Sequence, residues 1–166
     1  MQARCRVQND ERRAADVGGL FPPGSRLSYR PLVRMATFEA DNWQLRSGEA
    51  SHAASPQTFS IPSATERLRL TRGKAVKLIF EVEVEHPDGS LIIEAERMWV
   101  IVRDVLPDGF IGILDNKPAS FDPADDVYLR FGCEVPFAAE HVIDIADPPQ
   151  GYVDWQLGQP PEQIWR

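Results

Sequence analysis

The chain has 166 residues, 43% of them hydrophobic and 26% charged, enough for one domain with a buried core. That balance excludes wholesale disorder, and no aliphatic run approaches the ~18 residues a membrane span needs. With 25 acidic against 18 basic residues the formal charge is -7, the wrong sign for docking on phosphates, so neither a nucleic-acid nor a membrane partner is expected.

Taken in chain order, residues 1–35 carry seven arginines (Arg4, Arg6, Arg12, Arg13, Arg26, Arg30 and Arg34) against Asp10, Glu11 and Asp16, net +4, while residues 36–166 are net -11. Gly18-Gly19 and Pro22-Pro23-Gly24 break any periodicity, so this stretch reads as a poorly structured basic leader. It lacks the apolar core of a secretory signal, and its acids argue against a transit peptide, which makes a cytoplasmic protein the expectation. Residues 36–147 read as a single α+β domain, best defined over 60–147. Within it, residues 36–46 suggest a strand around Phe38, Trp43 and Leu45, and residues 47–62, with Gly48, Pro56 and Pro62, suggest a loop.

Ser63-Ala64-Thr65-Glu66 fits a capping box, continued by a short helix over 67–72 that Gly73 would close. Next, Val76, Leu78, Phe80, Val82 and Val84 alternate with Lys77, Glu81, Glu83 and Glu85, the pattern of a long antiparallel strand dry on one side and wet on the other. His86-Pro87-Asp88-Gly89-Ser90 supplies a turn, and residues 91–94 resume the ladder. The apolar run 98–102 reads as a covered strand, and residues 104–109 as another turn. The strand 110–114 contains Gly112, a mark of a bulge or bend. Asp115-Asn116-Lys117-Pro118 closes it, an acidic loop spans 122–126, and a short strand spans 134–137. Residues 138–145 suit either one helical turn or an edge strand. Pro148-Pro149 ends the compact part, leaving residues 148–166 as a tail with Trp155 and Trp165. Leu70-x-x-Gly73-x-x-Val76-x-Leu78 recurs as Leu129-x-x-Gly132-x-x-Val135-x-Phe137, with Pro62 and Pro123 upstream, and reads as recurrent strand-entry geometry rather than duplication.

Few residues point to chemistry. Cys5 and Cys133 sit in no CxxC pair and near no ligand-spaced histidine, so no metal or cofactor is expected; free thiols are the first reading, one disulfide the alternative. The histidines are His52, His86 and His141. No nucleophile elbow or local Cys–His pattern accompanies them, so enzyme activity is not the leading expectation. Asp115, Asp122, Asp125 and Asp126 lack the calcium-loop spacing and read as solvated, while Asp115-Asn116 suits a turn or a ligand-holding rim. Glu81, Glu83 and Glu85 form an acidic stripe, with Glu94 and Glu96 expected on the next strand, and Trp99 falls on the second face of its own strand.

The order Val76-Lys77-Leu78-Ile79-Phe80-Glu81, Glu96-Arg97-Met98-Trp99-Val100, Gly112-x-Leu114-Asp115-Asn116-x-Pro118 and Gly132-x-x-Val135-x-Phe137 with His141-Val142-Ile143 resembles the YegJ-like bacterial family of uncharacterised domains over roughly residues 60–147. The resemblance implies a small α+β domain and no particular reaction, and Lys74 departs from it where an acid is expected after the glycine. The expected fold is a strongly bent antiparallel sheet or small partly open barrel with one or two short helices. The expected function is a non-catalytic interaction module for a protein partner, such as a basic toxin or effector that it inhibits. Its contacts would be Glu81, Glu83, Glu85, Trp99, Asp115 and Asn116. The rival reading is a small-molecule hydrolase or ligand sensor using His141 and Asp115 in a cleft.

Overall fold

Val76, Leu78, Phe80 and Val82 are fully buried along one side of β2 (Ala75–Glu85), the strand around which the sheet is organised. Removing side chains of this size from water contributes about 1.5–3 kcal/mol apiece, which holds that side inward. The computed structural model describes residues 33–122 and 125–166, and every element below belongs to the unit Leu32–Arg166. Residues 1–32 of the expected leader, Cys5, and residues 123–124 of the acidic loop lie outside the described residues.

The sheet is antiparallel and curled, a half-barrel accompanied by four short helices. Its order is β1 (Trp43–Arg46), β2, β3 (Leu91–Leu106), β4 (Gly109–Leu114) and β5 (Glu134–Phe137). A sixth strand, β6 (Asp144–Ala146), pairs with residues 75–77 of β2, on the edge that β1 uses further along. Asp88 and Gly89 make the β2–β3 turn as expected: Gly89 has φ +83°, and the Asp88 carboxylate accepts the Ser90 amide at 2.8 Å. Both copies of the repeated spacing enter strands identically. Leu70 and Leu129 are buried, Gly73 and Gly132 sit at φ +92° and +87°, and Val76 and Val135 follow with no exposure. That is recurrent strand-entry geometry.

Gly112 does mark an irregularity, but the bulge lies on the partner strand, where β3 slips register between Val102 and Asp104. The extra residue, Arg103, is aimed sideways by the bulge. Its guanidinium reaches Glu134 Oε1 at 2.6 Å and Asp104 Oδ2 at 2.8 Å. Glu134 is almost completely buried, and its other oxygen accepts the Trp165 amide at 2.8 Å. A buried carboxylate survives here because both oxygens are satisfied.

Several elements differ from expectation. The strand proposed over 36–46 begins instead with a helical turn, α1 (Phe38–Asp41), capped by Thr37, and only residues 43–46 are extended. The loop proposed over 47–62 contains α2 (Gly48–Ala54), whose first turn is closed by the Ser47 hydroxyl accepting the Ala50 amide at 3.1 Å. The capping box at Ser63 and Glu66 is present, but its helix, α3 (Ala64–Leu68), ends before Gly73, which serves the turn into β2. Residues 138–145 use both options, a single tight turn (Ala139–His141) and then the start of β6. The tail is part of the fold. Residues 150–158 form α4 (Gln150–Gly158) with Val153 and Gln156 buried. Trp165 packs edge-on against Trp43 at 5.6 Å and Tyr128 at 5.3 Å.

Arg67 ties the helical layer together. Its guanidinium is buried and donates to the Pro62 carbonyl at 2.9 Å, to Glu49 at 2.6 Å and to the Ala139 carbonyl at 2.9 Å. One side chain thereby links α2, α3 and the turn before β6.

Candidate functional site

Register decides which acids share a surface, because directly opposed residues of an antiparallel pair project to the same face. Glu83 and Glu85 face Ile93 and Leu91 across the ladder, so these four share one side of the β2–β3 ribbon. Glu94 and Glu96 stand on the next strand as expected, where they pair with Val82 and Phe80 and so lie on the opposite side of the ribbon from Glu83 and Glu85. They are also engaged: Glu96 accepts the Ala119 and Ser120 amides at 2.9 and 2.6 Å and the Ser120 hydroxyl, while Glu94 accepts that hydroxyl at 2.8 Å.

The wet side of β2 is only partly wet. Ile79 on that side is buried, and Glu81 accepts from Gln44 Nε2 at 2.8 Å and Arg46 Nε at 2.7 Å. Burial alone would raise the Glu81 carboxyl, but these donors outweigh it and hold the group below its ordinary value. Glu81 is thus a cross-strand fastener. Glu83 and Glu85 carry the available charge.

An open groove of about 340 Å³ adjoins them, lined by Asp41, Trp43, Glu83, Glu85, Asp126 and Tyr128 among others, with no Lys, Arg or His in its lining. Asp41 is neutralised by Arg34 at 2.7 Å, a contact that depresses its carboxyl. Asp126 makes only a long 3.8 Å contact with Arg130. The Trp43 indole nitrogen in this wall is the one buried side-chain N or O among the described residues with no hydrogen-bond partner.

Trp99, Asp115 and Asn116 do come together, through the backbone. The Asn116 side chain accepts the Trp99 amide at 2.6 Å, and the Asp115 amide donates to the Trp99 carbonyl at 2.8 Å. The Trp99 ring is half-covered by Lys77, whose ammonium lies 4.4 Å from the ring centroid and 3.8 Å from Asp144. Asp115 receives the Tyr152 hydroxyl at 2.6 Å, fastening α4 to the end of β4. Burial raises the Asp115 carboxyl, and the hydrogen bond to Asp115 pushes the Tyr152 phenol up to about 12.

His141 and Asp115 are not joined by any hydrogen bond or ion pair, and neither lines the acidic groove. The His141 ring is buried, and its Nδ1 accepts the Ala138 amide at 2.9 Å, so it closes its own turn as a neutral imidazole. Burial lowers its pKa from 6.5, the neighbouring Glu140 opposing. Because the folded value lies below the unfolded one, the contribution of the neutral ring is complete above pH 6.5 and is lost as pH falls through the folded value. Urea unfolding is expected to show lower stability at about pH 5.5 than at about pH 7.5. His141→Asn, which keeps an acceptor without the titration, should flatten that difference; an unchanged pH dependence would contradict the assignment. His52 Nδ1 contacts the Phe59 carbonyl at 2.6 Å, and His86 lies in the exposed hairpin turn.

Among the described residues no cluster of three or more His, Cys, Asp or Glu could hold a metal ion, and no helix is long and apolar enough to cross a membrane. Cys133 is free and fully buried, and burial pushes its thiol up to about 12. Sequence reasoning missed Glu134, Arg103 and Arg67, because the contacts that define them, Arg103 and Trp165 on Glu134 and Glu49 and Ala139 on Arg67, join distant segments and no local motif accompanies them. It also missed the groove, which joins residues from four separated segments. No family model matches the chain, and no curated protein or solved structure is detectably similar to it.

Proposed function

We propose that this chain is a non-catalytic protein-interaction module that receives a basic partner on the acidic end of the β2–β3 ribbon. What carries the reading is the groove whose lining holds Asp41, Glu83, Glu85 and Asp126 and no basic residue. Arg34 neutralises Asp41, so Glu83 and Glu85, with Asp126 only distantly paired, are the carboxylates that focus a negative potential beside low-dielectric walls, which speeds encounter with a cationic surface. Neutralising a basic toxin or effector is one concrete form of this activity. Glu81, Trp99, Asp115 and Asn116 have a supporting part, since their polar groups are engaged within the fold. The hydrolase or sensor reading has less behind it, because the ring nitrogen His141 would use as a base is already accepting the Ala138 amide. A cytoplasmic setting belongs to the same proposal and rests on the free Cys133 thiol. The YegJ-like relationship is proposed on the order of its strand and turn motifs and assigns no reaction.

The test is affinity capture from the native host at low salt with wild type and a Glu83→Gln/Glu85→Gln variant as paired baits, with mass spectrometry of what each retains. A basic protein held by wild type and lost from the variant is expected, with affinity falling about tenfold or more as salt rises from low to physiological. Equal capture by both baits, or none by either, would overturn the proposal.

A further inference from the structure

β4 pairs with β3 only from Val100 onward, so among the described residues no strand covers the outer edge of β3 before that point. Residues 91–95 are all exposed, and two large apolar side chains stand there, Leu91 at 65% and Ile93 at 58% exposure. The direction of the backbone follows from its neighbours. Trp99 uses its N–H and C=O toward Asn116 and Asp115, away from β2, while Val102 uses its own toward Gly73 and Lys74, on the β2 side. Register between β2 and β3 is unbroken from Leu91 to Ile101, so strict alternation turns the N–H and C=O of Leu91, Ile93 and Ala95 outward. A flat apolar edge of this kind templates another strand unless something blunts it.

We infer that the exposed edge of β3 at Leu91, Ile93 and Ala95 takes an added strand from a partner whose extended segment alternates apolar and basic residues. This rests on the interaction-module reading and specifies its binding mode. An incoming strand would lie beside Leu91 and Ile93 on one face and beside Ile92 and Glu94 on the other. Apolar residues suit the first face, and on the second lysine or arginine suits the exposed Glu94 carboxylate, one oxygen of which accepts the Ser120 hydroxyl while its charge stays unneutralised among the described residues. A second copy of this chain is a poorer occupant. Antiparallel self-pairing keeps residues of like parity opposite one another: pairing about Glu94 or Ala95 sets Glu94 beside the Glu94 or Glu96 of the other copy, like charge on like charge, and pairing about Ile93 sets Glu94 beside an apolar Ile92 that leaves its charge unanswered.

The probe is a synthetic peptide of about eight alternating valine and lysine residues, beside the same peptide N-methylated on its edge-facing amides. NMR titration of the full chain should show the unmodified peptide slowing amide exchange at Leu91, Ile93 and Ala95 by about tenfold or more, and the methylated one doing nothing. Ile93→Pro removes an outward donor while sparing the β2 ladder, and proline is tolerated at such edge positions. It should keep a native near-ultraviolet spectrum and lose peptide binding. Glu94→Gln, which cannot disrupt the backbone, should weaken binding about threefold or more. Binding that survives both N-methylation and Ile93→Pro, no peptide binding at all, or self-association through this edge would overturn strand addition. Loss of a captured partner with Glu83→Gln/Glu85→Gln but not with Ile93→Pro would leave the acidic-face reading standing and remove the strand-addition mode alone.

Discussion

Truncating Trp43 to alanine is expected to lower the unfolding free energy by about 4 kcal/mol, the range for deleting a buried aromatic. Trp43 is 2% exposed and stacks on Phe80 at 5.8 Å and on Tyr128 at 6.2 Å. It also meets Trp165 edge-on, and the Trp165 indole donates to the Arg34 carbonyl at 2.7 Å. Loss of the first ring therefore leaves a cavity and unseats the C-terminal segment with it. Urea denaturation should report the stability loss, and the Trp165 fluorescence should shift toward that of a solvent-exposed indole before global unfolding. Trp43→Phe separates packing from polarity. It keeps an aromatic surface for the stacks and discards an N–H that has no partner, so it should cost roughly half as much. A loss below about 1 kcal/mol for Trp43→Ala would mean that this ring is not part of the structural centre.

Gly112→Ala should cost about 3 kcal/mol for the opposite reason, overpacking. A Cβ at this position would lie 2.3 Å from Val100 Cγ1 and 2.9 Å from the Ile101 carbonyl oxygen. Val100 is fully buried, and the carbonyl belongs to the neighbouring strand, so neither can give way cheaply. The β3 bulge opposite Gly112 would have to move, and with it the Arg103–Glu134 contact that anchors Trp165. Gly151→Ala provides the comparison. That glycine lies in the first turn of α4, a Cβ there meets nothing within 4 Å, and helix propensity favours alanine. It should be neutral or stabilising in the same denaturation assay, where Gly112→Ala shifts the midpoint sharply downward.

Much of the sheet was legible because its information is local. The alternation from Val76 to Val84 specifies an inner and an outer side, Asp88-Gly89 specifies the turn, and the spacing from Leu70 to Gly73 and from Leu129 to Gly132 specifies how strands begin. The start of α2 was also written locally, in the Ser47 hydroxyl that caps it, but Gly48 and the surrounding serines resemble a loop equally well. What stayed hidden depends on pairing between distant segments. The side on which Glu94 and Glu96 fall depends on the register that the hairpin adopts, a difference of one residue being enough to exchange the faces. Glu81 looks like its neighbours until Gln44 and Arg46 are brought alongside by β1. Trp165 reads as an exposed tail residue until the Glu134 carboxylate, 31 positions earlier, accepts its amide. The groove lining comes from the α1–β1 junction, from β2, from the start of β3 and from Phe121 together with residues 126–129, so no single stretch of sequence carries its shape.

Hydrogen exchange across the whole chain, free and with the basic protein that wild type captures, tests the docking surface most directly. New protection should gather in the β2–β3 ribbon from Glu83 to Ala95, with α2, α3 and α4 unchanged. Protection centred on those helices, with the ribbon exchanging as freely in the complex as alone, would contradict this account.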